Sequence, residues 1–185
     1  MLFRSLRQRC PGKRFAILEA RHELGGTWSI NKYPDIRVDT MSASYEFVFD
    51  IKHKWSEYFG RGAEVRQYLE DTTKKQGVWP HVRLEHALKE ARFDETAGTW
   101  TVTTTGGETY VTRALITATG QLNRPAFPSV PGIDSFQGEV FHSARWRHDI
   151  DLHGKRVAVV GTGASAIQFV PEIVPQVKSL VLFQR

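Results

Sequence analysis

The chain has 185 residues, 41% hydrophobic and 24% charged, which is enough for one domain with a real core or for two small ones. The formal net charge of +5 suits anionic ligands such as nucleotides, but the basic residues are scattered and form no nucleic-acid-binding motif. No apolar run approaches the length of a membrane span, and the N-terminus lacks the apolar core of a signal peptide. With one cysteine, Cys10, no internal disulfide can form, so we expect a cytoplasmic protein. From the scattered charge and the short apolar runs we expect no nucleic-acid partner and no stable membrane insertion.

The first 120 residues carry helix and strand signals in alternation. Apolar spacing predicts the end of a helix at 3–9 and a longer helix that starts at Gly62 and stops near Lys75, before a glycine. Alternation of apolar and polar residues, with many Thr and Val, predicts strands at 13–20, 81–95, 99–105 and 109–120. Glycine-containing turns separate the last three strands, which indicates a β-meander.

The last third of the chain has the pattern of a βαβ unit. A connector with three prolines, residues 121–136, precedes an apolar strand at 155–160, a helix at 164–174 and a second strand from Ser179. Because the first of these strands is continuously apolar, we expect it to be buried on both faces. The prediction is an α/β fold with a doubly wound parallel sheet.

Between that strand and that helix lies a glycine-rich turn. Gly161, Gly163 and Ala166 match the pattern G-x-G-x-x-G/A. The first glycine permits the tight turn, the second lets the backbone approach a pyrophosphate, and the small third residue lets the helix pack on the strand. The phosphates would lie at the helix N-terminus, where free N–H groups favour negative charge. The sequence therefore predicts a dinucleotide site here.

The residues that end two strands indicate which dinucleotides bind. Arg185 ends the second strand of the βαβ unit, where an arginine can pair with a 2′-phosphate, so NADP is favoured over NAD unless Arg185 is only a surface cation. Glu19 ends the strand at 13–20, where an acid binds an adenosine ribose, although a solvated carboxylate is the simpler interpretation. The glycine turn that belongs before Glu19 would fall before Met1. We therefore expect a middle piece of a longer protein.

Two longer motifs make the family recognisable. The first is "GGTWSINKYPDIRVD", residues 25–39, and the second is "FQGEVFHSARW", residues 136–146, with the spacing F-x-G-x-x-x-H-x-x-x-W. Together with "ATGQLNRP" at 118–125 and the loop at 161, they resemble class B flavoprotein monooxygenases. Within that class the chain looks like Baeyer–Villiger monooxygenases, and most like the 4-hydroxyacetophenone monooxygenase group.

The resemblance implies an enzyme that uses FAD and NADPH to insert one oxygen atom from O2 into a ketone through a flavin C4a-peroxide. It implies two incomplete Rossmann-like domains. Residues 1–145 would be a partial FAD-binding domain with a β-hairpin or meander insertion, and residues 146–185 would begin an NADP-binding domain. The family's FAD phosphate loop and its active-site arginine would lie outside the chain, so we expect these residues alone to bind FAD poorly.

Site residues follow from the matched motifs. The resemblance assigns to the FAD side a set of nine residues: Glu19, Thr27, Trp28, Ser29, Ile30, Asp39, Tyr45, Ala87 and Gln121. It assigns Arg37 and Asp39 to the place where flavin and nicotinamide meet. It assigns to NADP the loop residues and the strand end: Gly161, Thr162, Gly163, Ala164, Ser165, Ala166, Ile167 and Arg185. The implied catalytic residues are Asp39 and His142, with His142 serving domain movement and cofactor coupling, and no metal is expected.

Two departures and three alternatives remain. Asp35 stands where the family has Gly or Met, and Arg147 stands where Pro or Asp is usual. Trp146 favours ketone oxidation, since the N- and S-oxygenating flavin monooxygenases that act on heteroatom substrates carry Phe or Tyr there. A non-catalytic remnant that only binds nucleotide is a second alternative. The third, a flavin reductase of the disulfide-reductase kind, would need a cysteine pair that Cys10 alone does not supply. The oligomeric state stays open.

Overall fold

The computed structural model describes residues 2–52 and 54–184. Short 3₁₀ turns connect the regular elements. The helices and strands, in chain order, are α1 (Leu2–Arg9), β1 (Ile17–Leu18), α2 (Thr27–Ile30), α3 (Gly62–Lys75), β2 (Val82–Arg83), β3 (Leu88–Asp94), β4 (Thr99–Thr104), β5 (Thr109–Thr112), β6 (Arg156–Val160), α4 (Ala164–Ile173) and β7 (Ser179–Phe183). No helix within the described ranges is long and apolar enough to cross a bilayer.

The chain forms two compact units, each built from two separate stretches of sequence. The first unit comprises residues 1–25 and 67–120, and the second comprises residues 26–66 and 121–185. The helix α3 therefore begins in residues 26–66, which belong to the second unit, and ends in residues 67–120, which belong to the first. Its start at Gly62 and its end at Lys75 confirm the sequence prediction.

The first unit holds two sheets. The strands β1 and β2 pair in parallel, Ile17 with Val82 and Leu18 with Arg83. The strands β3, β4 and β5 form the antiparallel meander that the sequence predicts, and Val102 of β4 is 2% exposed. The helix α1 is held against the C-terminal end of α3, because the Arg7 guanidinium donates to the carbonyl of Gly77 at 2.7 Å. A cation at this end also complements the helix dipole.

The second unit holds the βαβ element. The strands β6 and β7 pair in parallel from Arg156–Ser179 to Val160–Phe183, with α4 as the crossover between them. The parallel pairing confirms the prediction of a βαβ unit. The buried core lies between α4 and the sheet and comprises Tyr33, Val159, Ala166, Phe169 and Ile173. Trp146, Leu152 and Leu180 pack against it.

Four strand predictions differ from the structure. The strand predicted at 81–95 is divided into β2 and β3, and Glu85 between them has φ 60°, which is outside the extended region. The strand β6 is not buried on both faces: its residues alternate, with Val159 buried and Val160 66% exposed, because α4 covers one face. The strand β1 has two residues rather than eight, since its pairing with β2 extends over Ile17 and Leu18. The strand β5 ends at Thr112 rather than Gly120, because the Thr112 hydroxyl bonds the backbone of Ala114 instead of letting the ladder continue.

Candidate cofactor-binding site

The turn between β6 and α4 is open to a ligand. Gly161 has φ 105°, a conformation that favours glycine, and its N–H donates to the carbonyl of Phe183 at 2.9 Å, which fixes the turn to β7. Gly163 is the N-cap of α4. A Cβ added at Gly161 or Gly163 would meet no atom within 4 Å among the described residues. The turn therefore leaves room for a phosphate to approach the backbone and the N-terminal N–H groups of α4.

The third position of the motif packs as the pattern requires. Ala166 is 8% exposed and lies in the core beside Val159 of β6 and Phe169. A larger side chain here would separate the helix from the strand. The other assigned residues of the turn have more access to solvent: Ser165 is half-buried, and Thr162, Ala164 and Ile167 are exposed.

The segment that begins at Gly26 brings several FAD-assigned residues together. Gly26, with φ 52°, starts the short helix α2, which carries Thr27, Trp28, Ser29 and Ile30. Ser29 is fully buried, whereas Trp28 is turned edge-on to Tyr45, with ring centroids 5.4 Å apart. Tyr45 is 41% exposed, so the pair offers an aromatic surface.

The Arg37 guanidinium is held by two carboxylates. Its Nε donates to Asp35 Oδ2 at 2.9 Å, its Nη2 pairs with Asp35 Oδ1, and its Nη1 donates to Glu57 Oε2 at 2.9 Å. Glu57 is shared with Arg61, whose Nε donates to Glu57 Oε1 at 2.6 Å. The hydrogen bonds from Arg61 and Arg37 hold the pKa of Glu57 below its usual value. The charge of Arg37 is thus compensated within the second unit.

Tyr33 connects this segment with the glycine turn. Its ring is 7% exposed and stands edge-on to Phe169, with centroids 6.1 Å apart. Burial raises the pKa of the Tyr33 phenol, a hydrogen bond with Ser165 lowers it, and the nearby charge of Asp39 raises it further. The structure therefore brings Tyr33, the assigned Ser165 and the assigned Asp39 into one neighbourhood. Asp39 itself is exposed and follows Val38, which is 2% exposed.

Gln168 belongs to the same neighbourhood and was missed by the sequence analysis. It lies on α4, one helical turn after Ser165, and is half-buried. Its side-chain oxygen accepts hydrogen bonds from the Tyr33 hydroxyl at 3.0 Å and from the Arg37 N–H at 3.2 Å, and its Nε2 donates to the Arg37 carbonyl at 3.0 Å. The available signal was a polar residue next to the core-facing Phe169 in the middle of a mostly apolar helix.

His142 makes a local hydrogen bond. Its Nδ1 accepts from the N–H of Ala144 at 3.0 Å and so caps the 3₁₀ turn Ser143–Arg145. An accepting Nδ1 carries no proton, which assigns the ring proton to Nε2. The turn ends at Trp146, whose ring lies 5.1 Å from that of Phe169. This geometry makes His142 a positioning group for Trp146, and its assigned part in cofactor coupling stays a prediction.

In the first unit, Glu19 and Ala87 are held in neighbouring positions. The Glu19 carbonyl accepts from the N–H of His86 at 2.9 Å, and the Ala87 carbonyl accepts from the N–H of Thr105 at 2.8 Å. The N–H of Arg21 donates to Glu19 Oε1 at 3.0 Å, and Oε2 has no hydrogen-bond partner within the described ranges. The pairing of β1 with β2 thus brings together two residues that are far apart in sequence.

Two assigned residues remain, Gln121 and Arg185. Gln121 is exposed and begins the second stretch of the second unit. The assignment of Arg185 lies outside the described residues. Neither assignment is tested by the geometry.

Comparison with known proteins identifies the family. The sequence profile of the flavin-binding monooxygenase-like family matches residues 36–185. The chain belongs to this family. A Baeyer–Villiger monooxygenase of Pseudomonas aeruginosa is 43% identical over 171 residues, which cover 92% of this chain and 32% of that protein.

Solved structures of flavin-binding monooxygenases have the same fold as this chain. Cyclohexanone monooxygenase with bound ε-caprolactone has a TM-score of 0.87 at 32% identity, with 99% of this chain and 36% of that chain covered. The OTEMO complex with FAD and NADP has a TM-score of 0.84 at 36% identity, with 98% and 36% covered. The chain therefore spans about a third of the length of the relatives it matches.

Proposed function

We propose that the gene product carrying this chain is an FAD- and NADPH-dependent Baeyer–Villiger monooxygenase that converts a ketone into an ester or lactone. The observation that carries the proposal is the packing of the glycine-turn helix α4 on the segment 33–39 within the second unit. This packing brings a dinucleotide turn to the residues assigned to the flavin–nicotinamide contact. The relatives named Baeyer–Villiger monooxygenase and the neighbour complexed with FAD and NADP support it.

The residues present fit NADP. The turn at Gly161 and Gly163 is open, and the N-terminus of α4 offers N–H groups for the pyrophosphate. Ser165 and Tyr33 flank this end of the helix, and Asp39 lies close enough to Tyr33 to raise its pKa. We assign the pyrophosphate to the turn, the nicotinamide end to Asp39 and the 2′-phosphate to Arg185.

The residues present also fit part of FAD. Glu19 Oε2 has no hydrogen-bond partner among the described residues and can accept from a ribose hydroxyl. Trp28 and Tyr45 present an aromatic surface to a ring system, with Thr27, Ser29 and Ile30 in the same helix. When bound, NADPH supplies a hydride and reduced FAD activates O2. The chain's own residues bind and orient both cofactors.

The finer assignments are proposals of the same kind. We place a partial FAD-binding domain at 1–145 and the start of an NADP-binding domain at 146–185, each Rossmann-like. We propose a monooxygenase of the 4-hydroxyacetophenone monooxygenase type, a cytoplasmic location that suits the single Cys10, and O2 as co-substrate.

Oxygen labelling of products from two kinds of substrate tests the proposal. The full gene product is purified with FAD and given NADPH, ¹⁸O2 and either 4-hydroxyacetophenone, cyclohexanone or a thioether. We expect an ester or lactone that carries one ¹⁸O atom. A labelled sulfoxide without any ester would instead indicate heteroatom oxygenation. A protein that binds NADPH but forms no labelled product from any of the three would be a non-catalytic remnant that only binds nucleotide.

A further inference from the structure

The Gln168 side chain joins α4 to the backbone of the segment 33–39. Its amide accepts from the Arg37 N–H and donates to the Arg37 carbonyl, at 3.2 and 3.0 Å. A neighbouring strand would bond a residue in the same paired way. The same oxygen also accepts from the Tyr33 hydroxyl at 3.0 Å. One side chain therefore fixes two points of the segment.

Few other side chains can make these bonds. The three bonds need a donor and an acceptor on one planar group at the end of a two-carbon stem, which only glutamine supplies. Asparagine is one methylene shorter, glutamate lacks the donor, and an apolar residue makes none of the bonds. Because the backbone groups of Arg37 are paired through this amide, its loss leaves them to find other partners.

The location of Gln168 connects it with the glycine turn. Ser165, one helical turn before it, lowers the pKa of the Tyr33 phenol, and Gln168 accepts from the Tyr33 hydroxyl, so two residues of α4 act on this phenol. The guanidinium of Arg37 is engaged by Asp35 and Glu57 instead. The segment is therefore connected to α4 through the Arg37 backbone and the Tyr33 hydroxyl, and not through the Arg37 charge.

We infer that Gln168 is a positioning residue that sets the distance between the glycine turn and Asp39, and thereby the fit of both ends of NADP. The inference rests on the proposed function. The turn would hold the phosphates, whereas Asp39, two residues after Arg37, would meet the nicotinamide. The side chain of Gln168 bonds Tyr33 and the Arg37 backbone, and it is assigned no contact with the phosphates or the nicotinamide. It acts by fixing the backbone that connects them to one helix.

Two ligands separate this role from a merely structural one. In the proposed site NADP⁺ spans the turn and Asp39. The shorter ligand 2′,5′-ADP contains the adenosine with its 2′- and 5′-phosphates but no nicotinamide, so it would reach the turn alone. If Gln168 sets the distance, Gln168→Leu weakens NADP⁺ binding about tenfold, the effect of losing one or two net hydrogen bonds, and leaves 2′,5′-ADP binding unchanged. If Gln168 only stabilises α4, both ligands lose affinity together.

The experiment is calorimetric titration of the FAD-loaded full gene product with each ligand. Gln176→Leu is the matched control, because the Gln176 side chain donates only within its own helix region, to the Glu172 carbonyl at 3.2 Å. A second variant, Tyr33→Phe, removes one hydroxyl and keeps the ring against Phe169. We expect it to weaken NADP⁺ binding about threefold, and it tests the inference if Gln168→Leu does not fold.

The outcomes are distinct. Selective loss of NADP⁺ affinity in Gln168→Leu, with Gln176→Leu unchanged, supports the inference. Unchanged affinities, or equal losses for both ligands, overturn it while leaving the proposed function intact. A wild-type protein that binds neither ligand overturns the proposed function and this inference with it.

Discussion

Asp35 is destabilised by a left-handed backbone conformation and stabilised by an ion pair with Arg37, and substitutions can separate these two effects. Tyr33, Pro34, Asp35 and Ile36 form a turn closed by the Ile36 N–H to the Tyr33 carbonyl at 3.3 Å. Asp35 has φ 58°, which is the left-handed region, and the third position of a type II turn with proline second favours glycine there. An L-residue is strained in that region, so the aspartate needs a compensating contact.

The compensating contact is the ion pair with Arg37. The two side chains are 17% and 24% exposed, so solvent screens the pair only in part. We take its contribution as about 1–2 kcal/mol, between an exposed ion pair and a buried hydrogen bond to a charged group. The left-handed conformation costs an L-residue about 1–2 kcal/mol, and glycine avoids this but adds about 0.5 kcal/mol of unfolded-state entropy.

The two effects predict an order of stability. Asp35→Gly loses the ion pair and relieves the strain, so its free energy of unfolding stays within about 1 kcal/mol of wild type. Asp35→Ala loses the ion pair and keeps the strain, so it is about 1 kcal/mol less stable than Asp35→Gly. Asp35→Asn tolerates the conformation and isolates the loss of charge.

Urea unfolding of the purified variants measures the order. The midpoints are compared at equal slopes, because a change in slope would report a change in the surface exposed on unfolding. An Asp35→Ala variant as stable as Asp35→Gly would refute the strain argument. Wild-type stability in all three variants would refute the ion-pair argument.

Three further predictions concern other residues of the second unit. His142→Ala removes the acceptor for the Ala144 N–H and lowers stability by about 1 kcal/mol, whereas His142→Asn retains a capping group and most of that stability; equal thermal unfolding of both would contradict this. Gly62→Ala places a Cβ 3.1 Å from Ile36 Cγ2, so we expect lower stability by about 1–3 kcal/mol in urea, and an unchanged midpoint would contradict the crowding. Burial is the main cause that raises the pKa of the Tyr33 phenol above its usual value. The stability that the neutral Tyr33 phenol contributes is fully present below the unfolded pKa and is lost as the pH rises through the raised folded pKa. We expect Tyr33→Phe to remove this loss of stability at high pH, and an unchanged dependence of the urea midpoint on pH would contradict the assignment.

The local parts of the site could be predicted from the sequence. The glycine turn is specified within six residues by the strand before it, two glycines and a small residue, and the Gly161 N–H bonds Phe183 of the paired strand. The helix α3 and the meander β3–β5 likewise depend on periodicity and turn residues that lie close together in sequence. The bounds of α3 and the antiparallel order of β3–β5 agree with the structure for that reason.

The parts that depend on pairing could not be predicted in this way. The extent of β1 depends on β2, which is more than sixty residues away, and the burial of β6 depends on which faces other elements cover. A continuous apolar run such as VAVV does not distinguish a strand covered on one face from a strand covered on both. Burial on both faces was therefore an inference from composition, and the structure corrects it.

The same reasoning explains why the charge of Arg37 was a misleading guide to its contacts. An arginine in a cofactor motif suggests a guanidinium that meets an anion, but here Asp35 and Glu57 already hold it. Gln168 bonds the Arg37 backbone although the two residues are far apart in sequence, and no local sequence pattern around either residue predicts that bond. Motifs identify the chemistry that a segment carries, whereas the side chains that hold two segments together follow from the fold. In this chain, the connection between the glycine turn and the segment of Asp39 is made by an amide and a phenol, so neutral side chains, and not the charged ones, determine how the two halves of the site meet.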